Sequence, residues 1–142
     1  MIRTYTHSDE QDVTKLWKEC HLLSPANNPK QDIQRKCNEN PDLFFVMEEK
    51  GRIIGSCLSG YDGHRGWIYY LAISPDHRKK GLGEKLVAHA EQALKKIGCP
   101  KIDLMVRDTN KGVIDFYHRI GYHDDPVVVL SKRLSEDEPY QM

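Results

Sequence analysis

The amino-acid sequence predicts an α/β domain with a mixed sheet flanked by helices. Three observations lead there. Apolar runs of strand length at residues 43–48, 52–59, 67–73 and 101–106 are interleaved with stretches of helical period. The full order reads strand, two helices, three strands, helix, strand, helix, strand. A chain of 142 residues is one domain's worth, long enough to bury a real core and too short for two ordinary ones.

In order along the chain, residues 2–6 alternate and form a first strand. Ser8 and Gln11 have the spacing of a capping box, and Val13, Leu16, Trp17 and Cys20 recur at i, i+3, i+4 and i+7, so an amphipathic helix runs to about His21. Prolines and asparagines mark 22–29 as a loop, and a shorter helix over 30–38 puts Ile33 and Cys37 one turn apart. The strands 43–48 and 52–59 are joined through Glu49-Lys50-Gly51, a hairpin signal. The polar run Tyr61-Asp62-Gly63-His64-Arg65-Gly66 reads as a β-turn with Asp-Gly at its tip, a direct catalytic role being the other reading.

Residues 67–73 are aromatic and β-branched without a polar alternate, the pattern of a strand covered on both faces. Ser74 and Pro75 end it. A helix over 82–97 stops at Gly98 and Pro100. A strand at 101–106, a loop at Arg107-Asp108-Thr109 and a helix over 110–120 with Gly121 at its C-terminal end follow. A last strand is expected at 127–133, so that 1–134 forms the domain and 135–142 an acidic, mobile tail.

Composition narrows the function classes. Twenty-one basic residues balance twenty-one acidic ones, which gives no broad electrostatic grip on nucleic acid or on an anionic membrane. The apolar runs are strand-sized and the first residues lack a basic-then-apolar leader pattern, so the expectation is a cytoplasmic protein. The four cysteines, Cys20, Cys37, Cys57 and Cys99, are widely spaced among apolar neighbours. They read as buried free thiols, with neither a zinc site nor a redox dithiol, and no metal is expected.

The stretch after the third central strand carries the chemistry. Arg78, Lys79 and Lys80 lead into Gly81-Leu82-Gly83 and a long helix, which places bare backbone N–H groups and a helix N-terminus at one point, as an anionic diphosphate needs. A plain strand-to-helix turn is the alternative for the glycines alone. A dinucleotide fingerprint would need glycine where Leu86 stands, and a P-loop would need Gly-Lys-Ser/Thr where Gly83-Glu84-Lys85 stands.

The chain resembles the GCN5-related N-acetyltransferase (GNAT) family. Arg78, Gly81 and Gly83 match its Arg/Gln-x-x-Gly-x-Gly/Ala loop for acetyl-coenzyme A (acetyl-CoA). Leu71-Ala72-Ile73-Ser74-Pro75 looks like its Leu-Ala-Val-x-Pro strand. Asn110 and Tyr117 have its Asn-to-Tyr spacing before Ile120-Gly121-Tyr122. The polar 61–66 run resembles the small single-domain YpeA-type bacterial members.

This resemblance implies the GNAT acyl-CoA N-acyltransferase fold and transfer of acetyl from acetyl-CoA to an amine-bearing small molecule, peptide or protein. It leaves a homodimer open. It assigns the main chain of Leu71, Ala72 and Ile73 to the pantetheine arm and the oxyanion, and the backbone of Arg78, Lys79, Lys80, Gly81, Leu82 and Gly83 to the pyrophosphate. Asn110 would bond the cofactor arm and Tyr117 would be the general acid, a packed aromatic being the reading of Tyr117 without that spacing. The loop and helix over 22–38 would wall the acceptor cleft.

The general base stays open among His64, Tyr69, Tyr70 and Glu48. Met105 stands where some relatives that acetylate protein N-termini carry Glu. Asp124 and Asp125 are candidates to steer a cationic amine, with solvated surface charge as the alternative. A non-catalytic acyl-CoA sensor is the competing reading, and Tyr117 with intact glycines speaks for the enzyme.

Overall fold

The structure is a computed structural model and describes residues 1–140. Five strands, β1 (Ile2–Thr4), β2 (Phe44–Glu49), β3 (Arg52–Tyr61), β4 (Gly66–Ile73) and β5 (Ile102–Leu104), lie side by side in sequence order. The first four pair antiparallel, and β5 joins β4 in parallel. The hairpin between β2 and β3 turns through Lys50 and Gly51, both at positive φ (51° and 76°), as a two-residue turn with right-handed strand twist requires.

Four helices cover the sheet: α1 (Glu10–Glu19), α2 (Pro29–Cys37), α3 (Leu82–Lys96) and α4 (Lys111–Arg119). Strict alternation along β2 sends Phe44 and Val46 to one face and Leu43, Phe45 and Met47 to the other. On the first face they meet Val13, Leu16 and Trp17 of α1 and Ile33 of α2. On the second they meet Leu86, Val87, Ala90 and Leu94 of α3 and Tyr117 of α4. Burying both faces is what makes these strands read as continuous apolar runs.

Three expectations are corrected. The capping box before α1 uses Thr6 and Asp9 instead of Ser8 and Gln11. Asp9 accepts from the Thr6 amide at 2.9 Å while Arg3 grips its carboxylate through two bonds of 2.8 and 2.9 Å. A cation on β1, six residues earlier, therefore helps choose the cap. The strand at 67–73 is not covered throughout, since Tyr69 is 44% exposed where β4 borders a cleft.

The run 127–133 is no strand. Lys101 holds Asp125 at one end, while Asp137 binds Arg35 and the Asn28 amide at the other. The segment crosses between these anchors instead of lying along β5, and Val127 to Leu130 stay 60–89% exposed.

The tail expected to be mobile carries further bonds to α2: Glu138 receives the Asn28 side-chain amide on its carbonyl at 3.2 Å and donates its own N–H to Gln31 at 2.8 Å. Its last two residues lie outside the described ones.

Asp9 is buried, and its pairing with Arg3 lowers its pKa below the ordinary carboxylate value. A depressed folded-state pKa gives stability that is present above about pH 3.9 and is lost as pH falls through the folded value. Asp9→Ala is expected to cost roughly 1–3 kcal/mol at pH 7. Urea melts across pH should show wild type and variant converging below about pH 3.9, and a pH-independent gap would contradict the assignment.

Candidate active site

The site begins with a register change. Ser56 pairs with Ala72 and Leu58 with Tyr69, so Tyr70 and Leu71 together oppose the single Cys57, a β-bulge. Two consecutive residues, Tyr69 and Tyr70, consequently face the α1 side, Tyr70 at φ 48°. On its other edge β4 pairs with β5 only through Gly66, Trp67 and Ile68. Beyond Ile68 the strands part, and among the described residues the outer edge of β4 over 69–73 has no strand partner.

The gap opens into a cavity of about 1630 Å³. Leu71, Ala72 and Ile73 line it from β4, and Asn110, Phe116 and Tyr117 from α4 and its start. The loop before α3 completes this end. Lys79 (φ 63°) and Gly81 (φ 76°) are left-handed, so successive amides turn inward as in an anion nest. Gly81 is the N-cap of α3, and the first intrahelical bond comes only at Lys85 N–H to Gly81 C=O. The amides of the first turn are thus free to meet an anion.

Gly83 lets α3 and α4 approach, since a Cβ there would stand 3.3 Å from Phe116 Cζ. Of the eleven residues read from sequence, ten line this one cavity and Lys80 does not. Arg78 donates Nε–H to the Ile73 carbonyl at 3.1 Å and so ties the loop to the strand end.

Asn110 sits outside α4 as its N-cap, its side-chain oxygen accepting from the Val113 amide at 3.4 Å. Tyr117 is buried edge-on to Tyr122 at 5.3 Å, and Tyr122 is fixed by its hydroxyl donating to Glu91 at 2.8 Å. Tyr117 lines the cavity, and among the described residues its hydroxyl makes no hydrogen bond. Burial, with the neighbouring Cys57 second, pushes its pKa up. Cys57 is itself a core thiol pushed to about 12 by desolvation.

The far end of the cavity is polar. Asp32 of α2 accepts from the Tyr70 hydroxyl at 2.7 Å and from Arg35 at 2.9 Å. Lys36 is half-buried, bonds the Ser59 carbonyl, and is lowered in pKa by desolvation. Asp62 organises the β-turn, accepting from the His64 and Arg65 amides at 2.8 Å each and from the Trp67 indole at 3.1 Å. The Arg65 and His64 amides and then the indole hold its pKa at about 2. Asp32 and Lys36 were not read from sequence as site residues. Both lie on α2, whose period shows only the face packed on α1.

Of the base candidates, Tyr69 and Tyr70 line the cavity; His64 and Glu48 do not, and Glu48 is paired with Arg3 at 3.0 Å. Asp124 pairs with His118 at 2.7 Å and Asp125 with Lys101, and neither lines the cavity. Among the described residues no helix is long and apolar enough to cross a membrane.

The class of protein to which this sheet and cleft belong follows from comparison with known proteins. The acetyltransferase (GNAT) family model matches residues 10–122. An acetyltransferase of Sodalis glossinidius is 48% identical over 98% of this chain and 99% of its own. One of Pectobacterium atrosepticum is 47% identical over 98% and 99%.

Two solved structures share the fold. The aminoglycoside N-acetyltransferase AAC(6')-Iy in complex with CoA has TM-score 0.76 at 15% identity, covering 95% of each chain. The ribosomal-protein-S18-alanine N-acetyltransferase of Escherichia coli has TM-score 0.74 at 20% identity, covering 88% of this chain and 78% of its own. The chain belongs to the acetyltransferase (GNAT) family and is an acetyltransferase.

Asn110 holds the helix that carries Tyr117 in place. Asn110→Ala is expected to cost about 1 kcal/mol of stability, most of it restored by Asn110→Ser. Chemical denaturation of the three proteins measures it, and equal midpoints would remove Asn110 from the cap.

Proposed function

We propose that this enzyme transfers the acetyl group of acetyl-CoA to a primary amine of a small molecule, peptide or protein by direct attack in a ternary complex, with Tyr117 as general acid. The observation that carries the reading is Tyr117, a buried residue that lines the same cavity as the amides at the start of α3 and whose hydroxyl is in none of the hydrogen bonds among the described residues. The residues fit the cosubstrate. The unpaired β4 edge over 69–73 offers main chain to an extended amide-bearing arm, as a neighbouring strand would. The loop over 78–83 offers the nest and the cations Arg78 and Lys79 to a diphosphate.

When bound, acetyl-CoA supplies an activated thioester: the amine nitrogen bonds to the carbonyl carbon, the carbon–sulfur bond breaks, and the departing thiolate takes a proton. A main-chain N–H on the open edge of the 71–73 run, that of Leu71, would meet the carbonyl oxygen as it gathers charge. Burial keeps the Tyr117 phenol protonated at neutral pH, ready to donate as charge builds on sulfur. The mixed-charge far end, with Asp32, Asp62 and the exposed Tyr69, suits a cationic amine on a polar carrier.

Two measurements test this. Tyr117→Phe should lower kcat roughly ten- to a thousand-fold while leaving KM for acetyl-CoA within about twofold, and wild-type turnover would return Tyr117 to packing. Gly81 has open space around its Cβ position but a left-handed φ. Gly81→Val therefore acts through the backbone, at a cost of about 1–2 kcal/mol. Titration calorimetry should show coenzyme A affinity reduced at least about tenfold in a protein whose circular dichroism is unchanged, and unchanged affinity would sink the loop assignment.

A further inference from the structure

Tyr70 is a bulky residue held in the left-handed region at the bulge that opens the cleft. A side chain with a Cβ is disfavoured there, so the conformation persists only where surroundings over-determine it. Here they do. The Tyr70 carbonyl accepts the Ser56 hydroxyl proton at 2.8 Å, and the same Ser56 oxygen accepts the Trp17 indole N–H at 2.8 Å. The Tyr70 ring stacks on Trp17 at 3.8 Å and 9° between planes. The phenol donates to Asp32 at 2.7 Å.

Trp17 and Ser56 are completely buried, and neither lines the cavity. Ser56 uses its one proton and one lone pair in the relay, an unusual polar choice for a strand residue with no solvent contact.

We infer that Trp17 and Ser56 are positioning residues for acetyl transfer: the buried relay from α1 through β3 pins the Tyr70 backbone and thereby aims the Leu71 N–H into the cleft, while Ala72 stays paired with Ser56 of β3. This rests on the acetyl-transfer reading above. Loss of the relay frees Tyr70 to relax toward ordinary β geometry, which rotates the peptide planes that follow it. The chemical step suffers, while the loop over 78–83 that grips the diphosphate is untouched.

The test is a cycle of Ser56→Ala and Tyr70→Gly, alone and together. Glycine takes the left-handed conformation without a Cβ penalty, so it no longer needs the relay. Ser56→Ala in the wild-type background should lower kcat at least about fivefold with KM for acetyl-CoA within about twofold. In the Tyr70→Gly background the same change should alter kcat by less than about twofold. The amide resonances of Leu71 and Ala72 should follow suit, displaced by Ser56→Ala only where Tyr70 is present.

Equal losses and equal displacements in both backgrounds would mark Ser56 as packing and overturn the inference, as would no loss in either. If Ser56→Ala does not fold, Trp17→Phe keeps the ring, deletes the N–H and takes its place in the cycle. A wild type without turnover would refute the acetyl-transfer reading, and the resonance pattern would still decide the positioning role.

Discussion

A parallel strand pair that starts in register and then separates is the constraint on which the rest of this structure depends. Gly66, Trp67 and Ile68 hold β5 against β4, and the bulge at Tyr70 turns the remainder of β4 away. An unpaired strand edge is ordinarily a liability, open to any other chain. Here the edge is recessed in a cavity, with α4 as one wall and the first turn of α3 as its floor. The close approach of those helices at Gly83 and Phe116 keeps the recess narrow at one end. Main-chain recognition thus becomes available to an extended ligand and difficult for a foreign strand.

Charge in this molecule is sorted by place and hidden by the neutral total. Arg78 and Lys79 stand at one end of the cavity beside amides without helical partners. Asp32 and Asp62 stand at the other, each already engaged with donors of its own chain. Burial pushes the pKa of Tyr117 up and, beside Asp32 on α2, that of Lys36 down, in each case toward the neutral form.

What could be read from the sequence is what lies on short contiguous stretches. Strand, loop and helix from 66 to 83 are consecutive, so their residue types and spacing already place Arg78, Gly81 and Gly83 at one mouth. Asn110 and Tyr117 are on one helix or its cap, where spacing again suffices. The bulge was illegible because it is a relation between β3 and β4, and the side chains bonded beside it, Ser56 and Trp17, come from distant parts of the chain.

Asp32 and Lys36 were missed for the same reason: α2 meets the cleft only after α1 is docked. The 127–133 run misled because β propensity describes a surface that suits a sheet, while a strand also needs a neighbour to bond. Arg3, six residues before Asp9, moved the helix cap in a way no local box could announce.

The attachment of Asp137 to α2 ties the carboxyl end of the chain to the wall of the cleft. Asp137 binds Arg35, Arg35 binds Asp32, and Asp32 receives the Tyr70 phenol, so a single connected path runs from the terminus to the bulge. Removing Asp137 would therefore be felt at a distance, since Arg35 would be left to Asp32 alone beside the bulge.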